Sequence, residues 1–212
     1  RNNKRMVTQD DLEWAKEKVL FGAERRSIKQ KEEEIEMTAY HEGGHAIVSL
    51  FTPVKDPLHK LTIIPRTRSL GFALFLPEDD TYTMNYEQLK AQMAMAFGGR
   101  IAEELIYGKE KISTGASMDI RQATGMARRM VEEWGYSDTI GRVFVGKTEE
   151  MSMLGGQARD ISPDTAHAID EEVKRLIDEA EGTARKILTD NLDALHRLSR
   201  ILIEFENMTG EE

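Results

Sequence analysis

Two histidines four residues apart, His41 and His45, enclose a glutamate and two glycines in the run His41-Glu42-Gly43-Gly44-His45, and no other feature restricts the chain's possible folds as strongly. Four residues carry an α-helix through roughly 400°, so both imidazoles leave the same face about one turn apart. Two neutral imidazole nitrogens at that spacing suit Zn²⁺, and Glu42, beside the first of them, can reach a metal-bound water as general base. The pattern therefore points to hydrolytic zinc chemistry of the peptidase kind. Its flanks, residues 32–40 and 46–50, lack proline and keep apolar residues at helical spacing, which predicts a long, half-buried helix. Gly43 and Gly44 each cost about 1 kcal/mol relative to alanine inside a helix, and close approach by another element is one reason to keep them.

With 212 residues, 40% hydrophobic and 32% charged, the chain can bury one good core or two modest ones. Lys+Arg 29 against Asp+Glu 38 gives a net charge of −9, which argues against nucleic-acid binding and against attraction to anionic lipid surfaces. No cysteine is present, so disulfides and thiolate metal sites are excluded and histidine and carboxylate remain as the strong ligands. No apolar run approaches the roughly 18 residues of a membrane helix, and no signal peptide opens the chain. A chain beginning at Arg1 reads as a fragment.

Along the chain, residues 8–21 predict a helix capped by Thr8, with Asp10 and Asp11 in its first turn, an apolar stripe of Leu12, Ala15, Val19 and Leu20, and Gly22 as its end. A polar connector covers 23–31. After the motif helix, Pro53 and Pro57 mark a loop, and residues 61–64 and 70–76 read as two strands. An acidic turn is expected at Glu78-Asp79-Asp80. Beyond it the pattern is helical over 87–107, where Gly98-Gly99 marks an interruption or a tight contact, and again over 119–134. Residues 135–160 are irregular, with 143–145 as a short strand. Ser162-Pro163-Asp164 opens a long helix to about 190, and a last helix covers 192–205. The fold class is thus mainly α with a small β-hairpin or sheet near the active site. Met93, Met95, Met126 and Met130 lie at helical spacing as core filler, not as a metal box. His167 and His196 sit on amphipathic helices far from the motif and are not expected to be ligands.

A catalytic zinc requires a third protein ligand and one open position. Glu103 and Glu104 are adjacent in a helical stretch, so one of them faces nearer the apolar side. Asp119 follows the small-residue run Ser113-Thr114-Gly115-Ala116-Ser117 and stands where a helix begins, a position equally suited to helix capping. His59 sits before a strand. Spacing alone leaves the choice among these open.

Four segments together carry a resemblance. They are Thr38-Ala39-Tyr40-His41-Glu42-Gly43-Gly44-His45-Ala46, Asp56-Pro57-Leu58-His59-Lys60-Leu61-Thr62-Ile63-Ile64-Pro65-Arg66, Gly98-Gly99-Arg100-Ile101-Ala102-Glu103-Glu104, and Ser113-Thr114-Gly115-Ala116-Ser117-Met118-Asp119-Ile120. In this order they resemble the peptidase domain of the FtsH family of membrane-anchored, ATP-dependent AAA+ zinc proteases. The likeness runs from about residue 23 to 205, with residues 1–22 similar to the last helix of the preceding ATPase module and 206–212 a tail. It implies one Zn²⁺ per subunit held by His41, His45 and Asp119, with Glu42 as the base and Glu103 orienting a ligand imidazole. It further implies a homo-hexamer that degrades unfolded or damaged membrane and cytosolic polypeptides. ATP would be required by the full-length protein but not bound here, since no phosphate loop occurs in these residues. This soluble fragment would reach a membrane only through segments it lacks, on the cytoplasmic side of the inner or plasma membrane. Gly43 stands where many relatives carry alanine.

Two rival readings make distinct demands. A helical adaptor with a structural zinc needs four protein ligands and no open position. A metal-dependent amidase for small molecules needs an enclosed pocket, whereas a protease of unfolded chains is served by an exposed strand edge, expected within 61–74, that pairs with a backbone.

Overall fold

The computed structural model describes residues 6–25, 27–54, 56–67, 69–77, 83–146 and 161–211, and of residue 10 only the backbone. Among the described residues, six α-helices and three short strands follow one another as α1 Gln9–Phe21, α2 Glu32–Leu50, β1 Leu58–Thr62, β2 Phe72–Phe75, α3 Tyr86–Tyr107, α4 Ser117–Glu132, α5 Pro163–Asp190, α6 Leu192–Phe205 and β3 Asn207–Thr209. A 3₁₀ turn, Lys109–Lys111, joins α3 to the loop before α4.

Local chemistry accounts for most of these boundaries. Thr8 caps α1 through its side chain and shares a capping box with Asp11, while Gly22 ends the helix at φ 87°. Asn85 and Gln88 form the same reciprocal cap on α3. Ser162 accepts from Thr165 N–H, with Pro163 at the first helical position of α5. Glu206 takes a left-handed φ of 61° at the end of α6, which turns the chain directly into β3.

The larger apolar cluster lies among α2, α3, α4, α5 and α6, with Met93, Ile101, Met130, Leu176, Leu188 and Leu195 almost fully enclosed. A smaller one joins α2 to the sheet through Ala39, Ala46, Leu61, Ile63 and Leu202. Strands run antiparallel in the order β2-β1-β3, with Leu61 opposite Ala73 on one side and Met208 on the other. Among the described residues β2 therefore has an open outer edge.

Several expectations are corrected. The residues 206–212, read as a tail, contain β3, whose backbone completes the sheet. Residues 143–145 form no strand; Val145 N–H instead donates to the Glu132 carbonyl at the end of α4. On α1 the apolar stripe faces outward, with Leu12, Val19 and Leu20 exposed, while Glu17 is buried. The acidic turn at Glu78-Asp79-Asp80, and the irregular segment from 147 to 160, lie outside the described residues. Of the two alternatives for Gly98-Gly99, the tight contact is the one found: α3 continues unbroken through the pair, which packs closely against α2.

Candidate metal centre

The motif helix is positioned by glycine. A Cβ on Gly44 would lie 2.3 Å from the Gly98 carbonyl oxygen, and one on Gly98 would lie 2.5 Å from the Gly44 carbonyl oxygen. The backbones of α2 and α3 therefore touch at a spacing no side chain permits. One residue on, a Cβ at Gly99 would sit 2.5 Å from His41 Nε2, so that glycine leaves room for the imidazole.

This crossing brings two ring-orienting acceptors from α3 against α2. Glu103 Oε1 lies 2.7 Å from His41 Nδ1, and the Met95 carbonyl lies 2.8 Å from His45 Nδ1. Both acceptors require Nδ1–H on their ring, which leaves both Nε2 lone pairs facing the same space. The two Nε2 atoms are 3.2 Å apart, and Asp119 Oδ2 approaches them at 3.4 Å and 3.8 Å. Ligands held at zinc distances with tetrahedral angles stand about 3.4 Å from one another, so the separations fit a single small divalent cation. His41, His45 and Asp119 are the one group of three such ligands among the described residues.

Asp119 occupies the first turn of α4, where the preceding loop fixes it. Glu103, with its side chain 1% exposed, accepts from Ser113 N–H at 2.6 Å and from Ser113 Oγ at 2.9 Å. Arg100 Nη1 holds the Ser113 carbonyl at 2.8 Å. One carboxylate thus ties a candidate ligand on α2 to the loop that delivers another.

Electrostatics follow from this crowding. Burial depresses the His41 pKa, but hydrogen bonds to Asp119 and Glu103 and the nearby charge of Glu42 outweigh it and raise the pKa to about 10. Burial and the neighbouring His41 charge drive His45 down to about 4. Burial also raises the Glu42 carboxyl to about 7, with the Asp119 charge adding to the rise and His41 and the Ala73 backbone amide opposing it. A cation between the rings would act on Glu42 in the lowering sense. Despite burial, hydrogen bonds to His41 and Ser113 keep Glu103 below the usual carboxylate range, and hydrogen bonding and charge from the two histidines do the same for Asp119.

The cluster lies in a cleft of about 900 Å³ bounded on one side by α2, α3 and the 113–119 loop and on the other by residues 69–75. The open edge of β2 forms part of its rim. A Cβ at Gly71 would stand 3.0 Å from Glu42 Cγ, so the backbone leading into β2 passes directly over Glu42.

Every residue expected at the centre from the motifs is found there, while the alternatives lie elsewhere. Glu104 turns outward to Arg185 at 2.8 Å and Lys109 at 3.3 Å. His59 pairs with Glu13 on the surface, His196 Nδ1 meets Tyr40 Oη at 2.8 Å, and His167 is exposed. Sequence reasoning did not single out Ser113, Arg100 or the Met95 carbonyl. Ser113 and Arg100 stand inside recognised segments, but the carbonyl has no side-chain signal.

Comparison with known proteins yields a match to the model of peptidase family M41 over residues 28–212. The chain is 52% identical to the ATP-dependent zinc metalloprotease FtsH of Caulobacter vibrioides, 47% to that of Rickettsia bellii and 45% to that of Haemophilus influenzae. In each case 100% of this chain is covered, against 34%, 33% and 34% of the relative. The chain therefore spans about a third of the length of these relatives.

Proposed function

The chain belongs to peptidase family M41, and from that membership we propose that it is the zinc-dependent peptidase portion of an FtsH-type protease, hydrolysing peptide bonds with His41, His45 and Asp119 as metal ligands and Glu42 as general base. The observation that carries this reading is the pair of imidazoles whose Nδ1 atoms are both tied to acceptors, so that two Nε2 lone pairs and a carboxylate oxygen converge on one point. A zinc ion held there supplies Lewis acidity toward water and toward the scissile carbonyl.

The chain's own groups divide the remaining work. Glu42 takes a proton from the attacking water and delivers it to the leaving amine as the C–N bond breaks. Glu103 keeps the His41 ring in the tautomer that presents Nε2, and Met95 does the same for His45. The open edge of β2 offers backbone hydrogen bonds to an extended chain, which selects for unfolded polypeptide with little demand on sequence. Three protein ligands among the described residues support a catalytic over a structural metal site, and a cleft open along a strand edge suits a polypeptide better than a small amide.

The remaining roles rest on the family resemblance. Residues 1–22 would end a preceding AAA+ ATPase module, the residues from 23 onward, β3 included, would form the peptidase domain, and the complete protein would be a membrane-anchored homo-hexamer with this part on the cytoplasmic side, consuming ATP to feed unfolded or damaged proteins to the site. No described helix is long and apolar enough to cross a membrane, so an anchor would lie in other segments.

The test compares the parent with Glu42→Gln and Asp119→Ala on a casein substrate, measuring zinc content in parallel. Glu42→Gln should retain zinc and lose cleavage, whereas Asp119→Ala should lose zinc. Undiminished cleavage by Glu42→Gln removes the assigned base, and normal zinc content in Asp119→Ala removes the third ligand.

A further inference from the structure

We infer that α1 clamps the cleft-edge strand through two attachments, the Glu17–Arg66 pair and the Phe21–Phe72 ring stack. The geometry stands by itself; its consequence for substrate rests on the peptidase reading above.

Arg66 lies in the turn between β1 and β2 with its side chain 2% exposed. Its Nη2 donates to Glu17 at 2.5 Å and to Glu24 at 3.3 Å, and its Nη1 donates to the Gly22 carbonyl at 3.3 Å. Glu17, buried on α1, gives its other oxygen to Lys60 of β1 at 2.6 Å. Beside this network the Phe21 ring lies flat on Phe72, the first residue of β2, with centroids 3.8 Å apart and planes 4° from parallel. The Arg66 guanidinium carbon stands 5.6 Å from the centroid of the same Phe72 ring. Arg25 N–H donates to the Pro65 carbonyl at 2.8 Å, adding a backbone tie.

On its other side the same residue reaches the cleft. Arg66 N–H donates to the Ser69 carbonyl at 2.8 Å, closing the turn that delivers Gly71 over Glu42. A four-residue edge strand bonded along one side has little stability of its own. A buried, hydrogen-bonded ion pair contributes little net stability because both charges lose their hydration, but it fixes one geometry, and removing one partner strands the other. The i, i+4 spacing of Glu13, Glu17 and Phe21 puts all three on the face of α1 that meets the sheet. The apolar residues Leu12, Val19 and Leu20 stay exposed. The helix is thus held to the sheet through polar contacts and one ring pair, an attachment that displacement of α1 would release together with the strand.

The experiment uses Glu17→Gln, Phe21→Ala and the conservative Phe21→Tyr in the whole chain. Three quantities are read: amide hydrogen exchange at 70–75, kcat and KM on an unstructured fluorogenic peptide, and zinc content. Glu17→Gln and Phe21→Ala should accelerate exchange at 70–75 by about 10-fold with α3 and α5 unchanged. They should raise KM roughly fivefold with kcat within about twofold of the parent, zinc content should stay constant, and Phe21→Tyr should match the parent. Unchanged exchange at 70–75, acceleration shared equally by α3 and α5, or an unmoved KM each overturns the clamp. If the parent cleaves no peptide, the peptidase reading fails and the exchange measurement alone decides the clamp.

Discussion

The two walls of the cleft are held by different physics. On the helical wall, α2 and α3 meet backbone to backbone at Gly44 and Gly98, backed by almost fully enclosed residues such as Met93 and Ile101. Such packing is dense and dry, and it resists displacement of even a few tenths of an ångström. On the sheet wall, a short edge strand is secured to α1 by Arg66, Glu17 and one pair of stacked rings. Ligand atoms that must share one ion belong on the first wall, where position is fixed. On the peptidase reading proposed above, a surface that admits and releases a polypeptide belongs on the second, where the contacts are few and separable.

The sharpest way to break this contrast is to add a methyl group at the helix crossing. In Gly98→Ala the new Cβ meets the Gly44 carbonyl oxygen at 2.5 Å, a contact with backbone that rotamer change cannot relieve. Overpacking of this kind should cost about 3 kcal/mol and lower the melting temperature by roughly 6 to 12 °C, with loss of bound zinc as α2 and α3 separate. Calorimetry with metal analysis decides it, and an unshifted melting point would show that the crossing is not rigid.

Next in size is Glu103→Gln. The amide oxygen still accepts from His41, but the charge is gone, and the amide group cannot replace both acceptor oxygens facing His41 and Ser113. Loss of a carboxylate that orients a ligand imidazole should weaken zinc binding by about 10- to 100-fold, measured by competition with a chelator, while the fold persists. Ser113→Ala is a milder version, since the Ser113 backbone N–H remains bonded to Glu103. Removing the hydroxyl bond at 2.9 Å should cost about 1 kcal/mol, read as a roughly fivefold loss of zinc affinity. A Ser113→Ala protein that binds zinc as tightly as the parent would mean that Glu103 acts through His41 alone and not as a bridge to the loop.

How much of this was legible in the sequence divides along the same line. Helix ends were readable because their signals are local: Thr8 with Asp11, Ser162 with Pro163, and Gly22 act within one turn. The two imidazoles were readable because helical periodicity alone sets them side by side. Asp119 was not readable from spacing, since it meets the histidines only after the 113–119 loop docks on Glu103, and the resemblance to a known family supplied it. The buried face of α1 was not legible because its key residue is a glutamate, whose burial makes sense only with Lys60 and with Arg66, 49 residues away. The strand β3 escaped notice because Asn207, Met208 and Thr209, with one apolar side chain among them, are too few to establish a period; they pair because α6 ends beside β1.

Glycines give the smallest and most discriminating prediction, because the same residue type serves opposite purposes in two helices. Gly98 sits in α3 against another backbone, whereas a Cβ at Gly182, in the middle of α5, would meet nothing within 4 Å. At Gly182 the only consequence of lacking a side chain is extra freedom in the unfolded chain. Gly182→Ala should therefore stabilise by about 0.4 to 1 kcal/mol and raise the melting temperature by roughly 1 to 4 °C, leaving zinc content and cleavage as in the parent. A fall in melting temperature there would mean that α5 has a close neighbour outside the described residues, and the clash assigned to Gly98 would then need the same control before it is read as a property of the helix crossing.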